Sequence, residues 1–192
     1  VSLRAPEPAR VTPAIFLVAT SDTDMRNIAS DLRQTVADAL VWLRKLPDRA
    51  DARRPAPNKW SPREIIGHLI DSASVNHERF VRAQLQDDLV FPTYEQDLWV
   101  STQQYNEQDW KGLLARWESF NEQIASTVER ISERDMTRPR IDHNLHMIGW
   151  QTVAPTEPTT LAYFVNDYVG HLRHHLAQIT AMAGDGRDGR IS

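Results

Sequence analysis

The chain reads as an all-α protein, a four-helix bundle with long connections between its second and third and its third and fourth helices. Three observations predict this. Apolar residues recur at intervals of three and four in four long stretches, most of them closed by proline or glycine. No stretch of useful length alternates with the period of a strand. A length of 192 residues, 41% of them hydrophobic, suits one domain with a substantial core.

The first helix is expected from Asp22 to Leu46, where Met25, Ile28, Leu32, Val36, Ala39 and Leu43 share a face opposite a charged one, and Pro47 stops it. The second opens on Trp60-Ser61-Pro62-Arg63-Glu64. Ser61 can cap, Pro62 sits where its missing N–H costs nothing, and Glu64 completes a capping box. It should carry Ile65, Ile66, Leu69, Ile70, Ala73, Phe80 and Val81 to about Gln86, with Pro92 soon after. The third, from about Glu107 to Ser132, holds Trp110, Leu113, Leu114, Trp117, Phe120, Ile124, Val128 and Ile131 in a bundle-type seam. The fourth follows Pro158 with Thr159 or Thr160 as cap, contains Leu161, Phe164, Val165, Tyr168, Leu172, Leu176 and Ile179, and should end at Gly184. Residues 21–183 thus form a single domain. A Pro-rich segment, 1–20, is expected to be mobile and 184–192 to be a flexible tail.

Composition narrows the function. A net charge of −4, with Arg53-Arg54 as the densest basic cluster, argues against nucleic acid as a partner. The run Ala14–Ala19 is too short to span a membrane and lacks a cleavage site, which predicts a cytoplasmic protein without a membrane partner. Val1 in place of Met suggests a processed or engineered start, or a non-standard start codon. The chain has no cysteine, so disulfides, a thiol nucleophile, iron–sulfur clusters and thiolate zinc ligands are excluded. A transition metal would have to be held by imidazole and carboxylate, and seven histidines are present.

Helical geometry sorts those histidines. His171 and His175 lie one turn apart and about 40° round the axis, on a stripe with Phe164, Tyr168 and Met182 that adjoins the apolar face. An H-x-x-x-H pair lets two imidazoles converge on one ion without bending the helix. A third ligand must come from another helix, and His68 is placed to give it, on the edge of its helix's apolar face above Ser72, Val75 and Arg79. His174 projects about 100° away, toward Asp167 and Ala181, and is the poorer ligand. His77, His143 and His146 read as structural or surface residues. A solvated or core-satisfied pair is the bland alternative for any two histidines at this spacing.

The segments Trp60–Asp71 and His171–Ile179, with Tyr94-Glu95-Gln96-Asp97-Leu98-Trp99 between them, resemble the DinB/YfiT-like metalloenzyme superfamily over roughly Asp22 to Ala183. The resemblance implies a four-helix bundle. It also implies a divalent ion held by His68, His171 and His175, zinc or nickel before manganese or iron, and a homodimer. It further implies thiol-dependent transfer or isomerisation, with a low-molecular-weight thiol as cosubstrate. Three neutral histidines leave the ion its full charge and an open position, as in catalytic sites. The function expected is a metal-dependent enzyme that activates a small thiol or water against an electrophilic small-molecule substrate, an S-transferase or a hydrolase. A non-catalytic homodimeric metal-binding bundle is the alternative.

Around the ion, Asp71 and Asp167 are candidates for orienting a ligand or taking a proton, with surface solvation as the plainer reading. Tyr168 could donate to a bound ligand, against core packing. Arg79 could hold an anionic substrate or thiol, against an ordinary ion pair. Trp99 and Trp150 fall in the connections and could wall a pocket, whereas Trp42, Trp60, Trp110 and Trp117 are read as bundle packing.

Overall fold

The computed structural model describes residues 22–46 and 50–188, with side chains from 27 to 46 and from 50 to 183. The expected mobile segment 1–20 and the stop at Pro47 lie outside the described residues. Among the described residues seven α-helices occur in the order α1 (Asp22–Leu43), α2 (Pro62–Arg82), α3 (Gln96–Gln103), α4 (Trp110–Val128), α5 (Glu133–Thr137), α6 (Leu145–Ile148) and α7 (Leu161–Asp188), with a 3₁₀ turn at Tyr105–Glu107. The long ones, α1, α2, α4 and α7, are the four expected, and they form a four-helix bundle.

In that bundle α1 and α2 each pack against both α4 and α7. Consecutive helices α1 and α2 therefore stand at opposite corners. The core between the four is made of the periodic residues: Leu32, Val36 and Leu43 from α1; Ile65, Ile66, Leu69 and Phe80 from α2; Leu113, Trp117 and Ile124 from α4; Leu161, Val165, Leu172 and Ile179 from α7, all buried. No helix among the described residues is long and apolar enough to cross a membrane.

Helix boundaries follow from local hydrogen bonds. Ser61 Oγ accepts from Glu64 N at 3.2 Å and Glu64 Oε2 accepts from Ser61 N at 2.9 Å, the reciprocal capping box expected at the start of α2. Arg54 donates to the same glutamate at 2.8 Å. Ser61→Ala should destabilise the fold by about 1 kcal/mol in chemical denaturation. Thr160, rather than Thr159, caps α7 by accepting from Tyr163 N at 3.1 Å.

Several ends differ from expectation. α1 stops at Leu43, three residues before Leu46, because Lys45 N and Leu46 N bond three residues back and tighten the chain into a turn. The same tightening at Gln84 and Leu85 ends α2 at Arg82. α4 begins at Trp110 because Asp109 accepts from Gly112 N at 2.7 Å, and it ends before Ser132, which caps α5 through Asp135 N. α7 continues past Gly184 to Asp188, and no glycine among the described residues has the positive φ of a left-handed cap.

The two long connections are not independent loops. Isolated bridges pair Leu89 with His143 and Arg140 with Thr159, and Asn144 clamps Phe91 by accepting from its N–H at 3.1 Å and donating to its carbonyl at 2.8 Å. Arg140 donates to the carbonyls of Ala83 and Asp135, tying α5 to the end of α2. The α2–α3 and α5–α7 connections are thereby joined to each other over one side of the bundle.

Candidate metal centre

His68 is buried on α2, and His171 and His175 are half-buried on α7. Because α2 packs directly on α7, the three rings meet: His171 Nε2 lies 3.3 Å from His68 Nε2 and 3.0 Å from His175 Nε2. One ligand nitrogen from each falls within 4.8 Å of the other two. Burial, reinforced by the neighbouring imidazoles, pushes His68 down to about 2 and His171 down to about 3. Burial also lowers His175, partly opposed by its bond to Gln178. All three are therefore neutral near pH 7.

The protonation pattern follows from Gln178. His175 Nδ1 donates to Gln178 Oε1 at 3.0 Å, while Gln178 Nε2 donates to His174 Nε2 at 3.0 Å. With its proton on Nδ1, His175 presents a bare Nε2 lone pair to the cluster. A single proton on His171 Nε2 can serve only one of its two contacts, which leaves lone pairs facing one another. A divalent cation at the focus resolves this, so the donor set fits an all-imidazole metal site. His68 Nδ1 has no hydrogen-bond partner among the described residues, and its ring is held by Trp60, whose centroid is 4.9 Å from His68 and 6.2 Å from His175.

Replacing Gln178 by Leu should lower metal affinity about 10–100-fold while the fold is kept, whereas Gln178→Glu should retain affinity because a carboxylate still accepts from His175 Nδ1. Competition against a chromophoric chelator measures both.

The cluster opens on a cavity of about 630 Å³ between α2, α7 and the two connections. Thr93–Asp97, which runs into α3, and Met147–Trp150, which leaves α6, supply the opposing walls. The amino-acid pattern of residues 31–179 matches that of the DinB superfamily. The chain belongs to the DinB superfamily. A relative in Bacillus subtilis (strain 168), the protein YfiT, is 22% identical over 124 residues, a stretch covering 65% of this chain and 64% of that relative's length. The solved structure of YfiT from Bacillus subtilis, titled as a "probable metal-dependent hydrolase with an unusual four-helix bundle topology", superposes with a TM-score of 0.70 at 17% identity over 93% of each chain. At that identity the superposition shows the shared fold.

In this DinB-superfamily chain the remaining candidate residues fall in different places. Asp71 is neither solvated nor bonded to His68. It shares a stripe with Gly67, about 60° round from His68, where Tyr105 and Gln103 both donate to its Oδ1, Tyr105 at 2.7 Å. Asp167 is also buried rather than solvated, and it accepts from the backbone N–H groups of Trp150 at 2.8 Å and Gln151 at 2.7 Å. Its carboxylate anchors a cavity wall. Burial raises both carboxyls, and the donors to each oppose that rise.

The Tyr168 ring lines the cavity, yet its hydroxyl donates to Asn121 Oδ1 at 2.6 Å, away toward α4, so it is not a free donor for a ligand. Trp99, 39% exposed, lies outside the cavity wall and leans on Tyr94, which forms that wall. Trp150 does line the cavity, with its ring 5.7 Å from His174. Arg79 lines it too and has no ion-pair partner among the described residues, so the ordinary ion pair weighed against a ligand role is not formed there.

His174 lines the cavity without joining the trio. His143 is structural: Leu145 N donates to its Nδ1 at 3.3 Å and its Nε2 donates to Glu157 O at 2.8 Å. Three contributors escaped the sequence reading. Trp60 walls the site instead of merely packing the bundle, and Gln178 sits three residues after His175 and four after His174, a spacing that helical geometry could have flagged. Tyr94 stands in a segment that carries the resemblance, yet its own part in the site shows only once the folded connection brings it to the cavity.

Proposed function

We propose that this protein is a metal-dependent hydrolase acting on a small electrophilic molecule, with His68, His171 and His175 holding one divalent ion, zinc or nickel before manganese or iron. The observation that carries this reading is the convergence of three neutral imidazoles on the wall of a ligand-sized cavity. The likeness to YfiT, described as a probable metal-dependent hydrolase, supports it. A divalent ion in such a site supplies Lewis acidity and makes a nucleophile of water or a thiol at neutral pH.

The chain's own residues do the rest. Neutral ligands leave the ion's charge undiminished, Gln178 keeps the His175 Nε2 lone pair turned inward, and Trp60 shields the rear of His68 and His175 from water. Asp167 holds Trp150 at the cavity, where its ring can lie against a substrate. Burial raises Tyr168 above its ordinary value, so its hydroxyl keeps its proton and its bond to Asn121.

Transfer to a small thiol is the second reading. The cavity's size accommodates two small reactants, and the chain's lack of cysteine means that any thiol would arrive as a cosubstrate. A panel of esters, amides and epoxides, assayed with and without low-molecular-weight thiols, separates the two. Chelator-sensitive turnover in water alone is the expected result, turnover only with thiol replaces hydrolysis by transfer, and turnover that survives metal removal rejects both.

A further inference from the structure

Along the cavity α2 exposes a polar stripe of His68, Ser72, Asn76 and Arg79. From His68 to Arg79 the helix rises about 16 Å, the length of an extended small molecule rather than of one functional group. The far end of this stripe is unusual. Arg79 is only 5% exposed, and all its partners are neutral. Nη2 donates to the Pro92 carbonyl at 2.8 Å, Nη1 reaches Asn76 Oδ1 at 3.4 Å, and Nε has no partner among the described residues.

A buried cation facing only neutral dipoles is costly. The half-buried Arg63 on the same helix is compensated by its pair with Asp51. Arg140 is as buried as Arg79, but its carbonyl bonds fasten α5 to α2 and it does not line the cavity. Arg79 alone combines burial, the lack of a counter-charge among the described residues, and a place on the cavity wall.

We propose that Arg79 anchors a carboxylate carried by the substrate at the end remote from the histidine cluster. The substrate of this site is then an elongated small carboxylate with its reacting bond at the other end. This rests on the reading of the cluster as the reactive end. A carboxylate is favoured over a phosphate because one guanidinium fork matches one planar monoanion, whereas a phosphate dianion would meet a single arginine and the acidic side chains of Glu95, Asp97 and Asp167 on the same cavity.

Calorimetric titration of the metal-loaded full chain with suberic monohydroxamate and with uncharged octanohydroxamate tests this, since both carry the same metal-seeking group and differ in the remote carboxylate. The carboxylated compound should bind about ten- to a hundredfold tighter to wild type, an advantage lost in Arg79→Gln and reduced in Arg79→Lys, with thermal melts confirming that both variants fold. Equal affinities in wild type, or an advantage that survives in Arg79→Gln, would overturn the proposal while leaving the metal reading intact. Suberate binding that depends on Arg79 but is unchanged in His171→Ala, with no hydroxamate preference for the metal-loaded form, upholds Arg79 and rejects the metal reading instead. Displacement of suberate more strongly by inorganic phosphate than by acetate would overturn the choice of carboxylate.

Discussion

His171→Ala should emerge from purification without the near-stoichiometric divalent metal expected of the untagged wild type, and without turnover. His171 is the middle member of the trio, within 3.3 Å of His68 and 3.0 Å of His175 at Nε2, so its removal leaves two imidazoles with nothing between them. Losing one of three ligands costs more than losing a group behind a ligand, so affinity should fall beyond the 10–100-fold expected for Gln178→Leu. His175→Ala should behave alike. Elemental analysis decides the matter, and retention of metal by both variants would show that the ion is held elsewhere.

Acid gives the same site a second signature in the metal-free protein. Folding holds His68 at about 2 and His171 at about 3, against 6.5 for a free imidazole. Below about pH 6.5 the unfolded chain binds more protons than the folded one, so stability falls as pH drops from there toward 3 and is unaffected above. His171→Ala removes one of these contributions. Its melting temperature should therefore decline less steeply with acid than that of metal-free wild type.

Gly67→Ala should destabilise the protein by about 3 kcal/mol, although alanine is the better helix former by about 1 kcal/mol. A Cβ at this position would stand 2.0 Å from Cδ2 and 2.1 Å from Cγ of Tyr105, far inside contact distance. The ring has nowhere to go: Tyr105 is 1% exposed and its hydroxyl is bonded to Asp71 at 2.7 Å. Overpacking of this kind costs about 1–3 kcal/mol, and expulsion of the ring would strip a hydrogen bond worth about 1.5–3 kcal/mol from a buried carboxyl. Denaturant unfolding of the metal-free forms measures the difference. A midpoint equal to or above wild type would mean that Tyr105 does not lie against α2.

Much of this architecture was legible before any coordinates. The helical faces of α1, α2, α4 and α7 are written in their apolar spacing, and the i,i+4 relation of His171 and His175 is a matter of geometry. The short helices were not legible, because α3 buries only Val100 and α6 only Leu145, too little to make a pattern. The burial of Asp71 and Asp167 was hidden for another reason. Each is sheltered by partners distant in sequence, Gln103 and Tyr105 for one, Trp150 and Gln151 for the other, and a polar residue's partners across space leave no trace in its own segment. Of the two readings the sequence left open for Arg79, the ordinary ion pair is not found among the described residues, since its close partner is the Pro92 carbonyl.

The clamp between Asn144 and Phe91 bears on how such a bundle could be re-engineered. The histidines stand on helices, whereas much of the opposing wall is borne by the two connections that this clamp and the Leu89–His143 bridge join. A graft of one connection from another bundle would leave Asn144 or Phe91 reaching for a partner that no longer arrives. The two connections form one cassette, to be transplanted together when selectivity is to be changed and the chemistry kept.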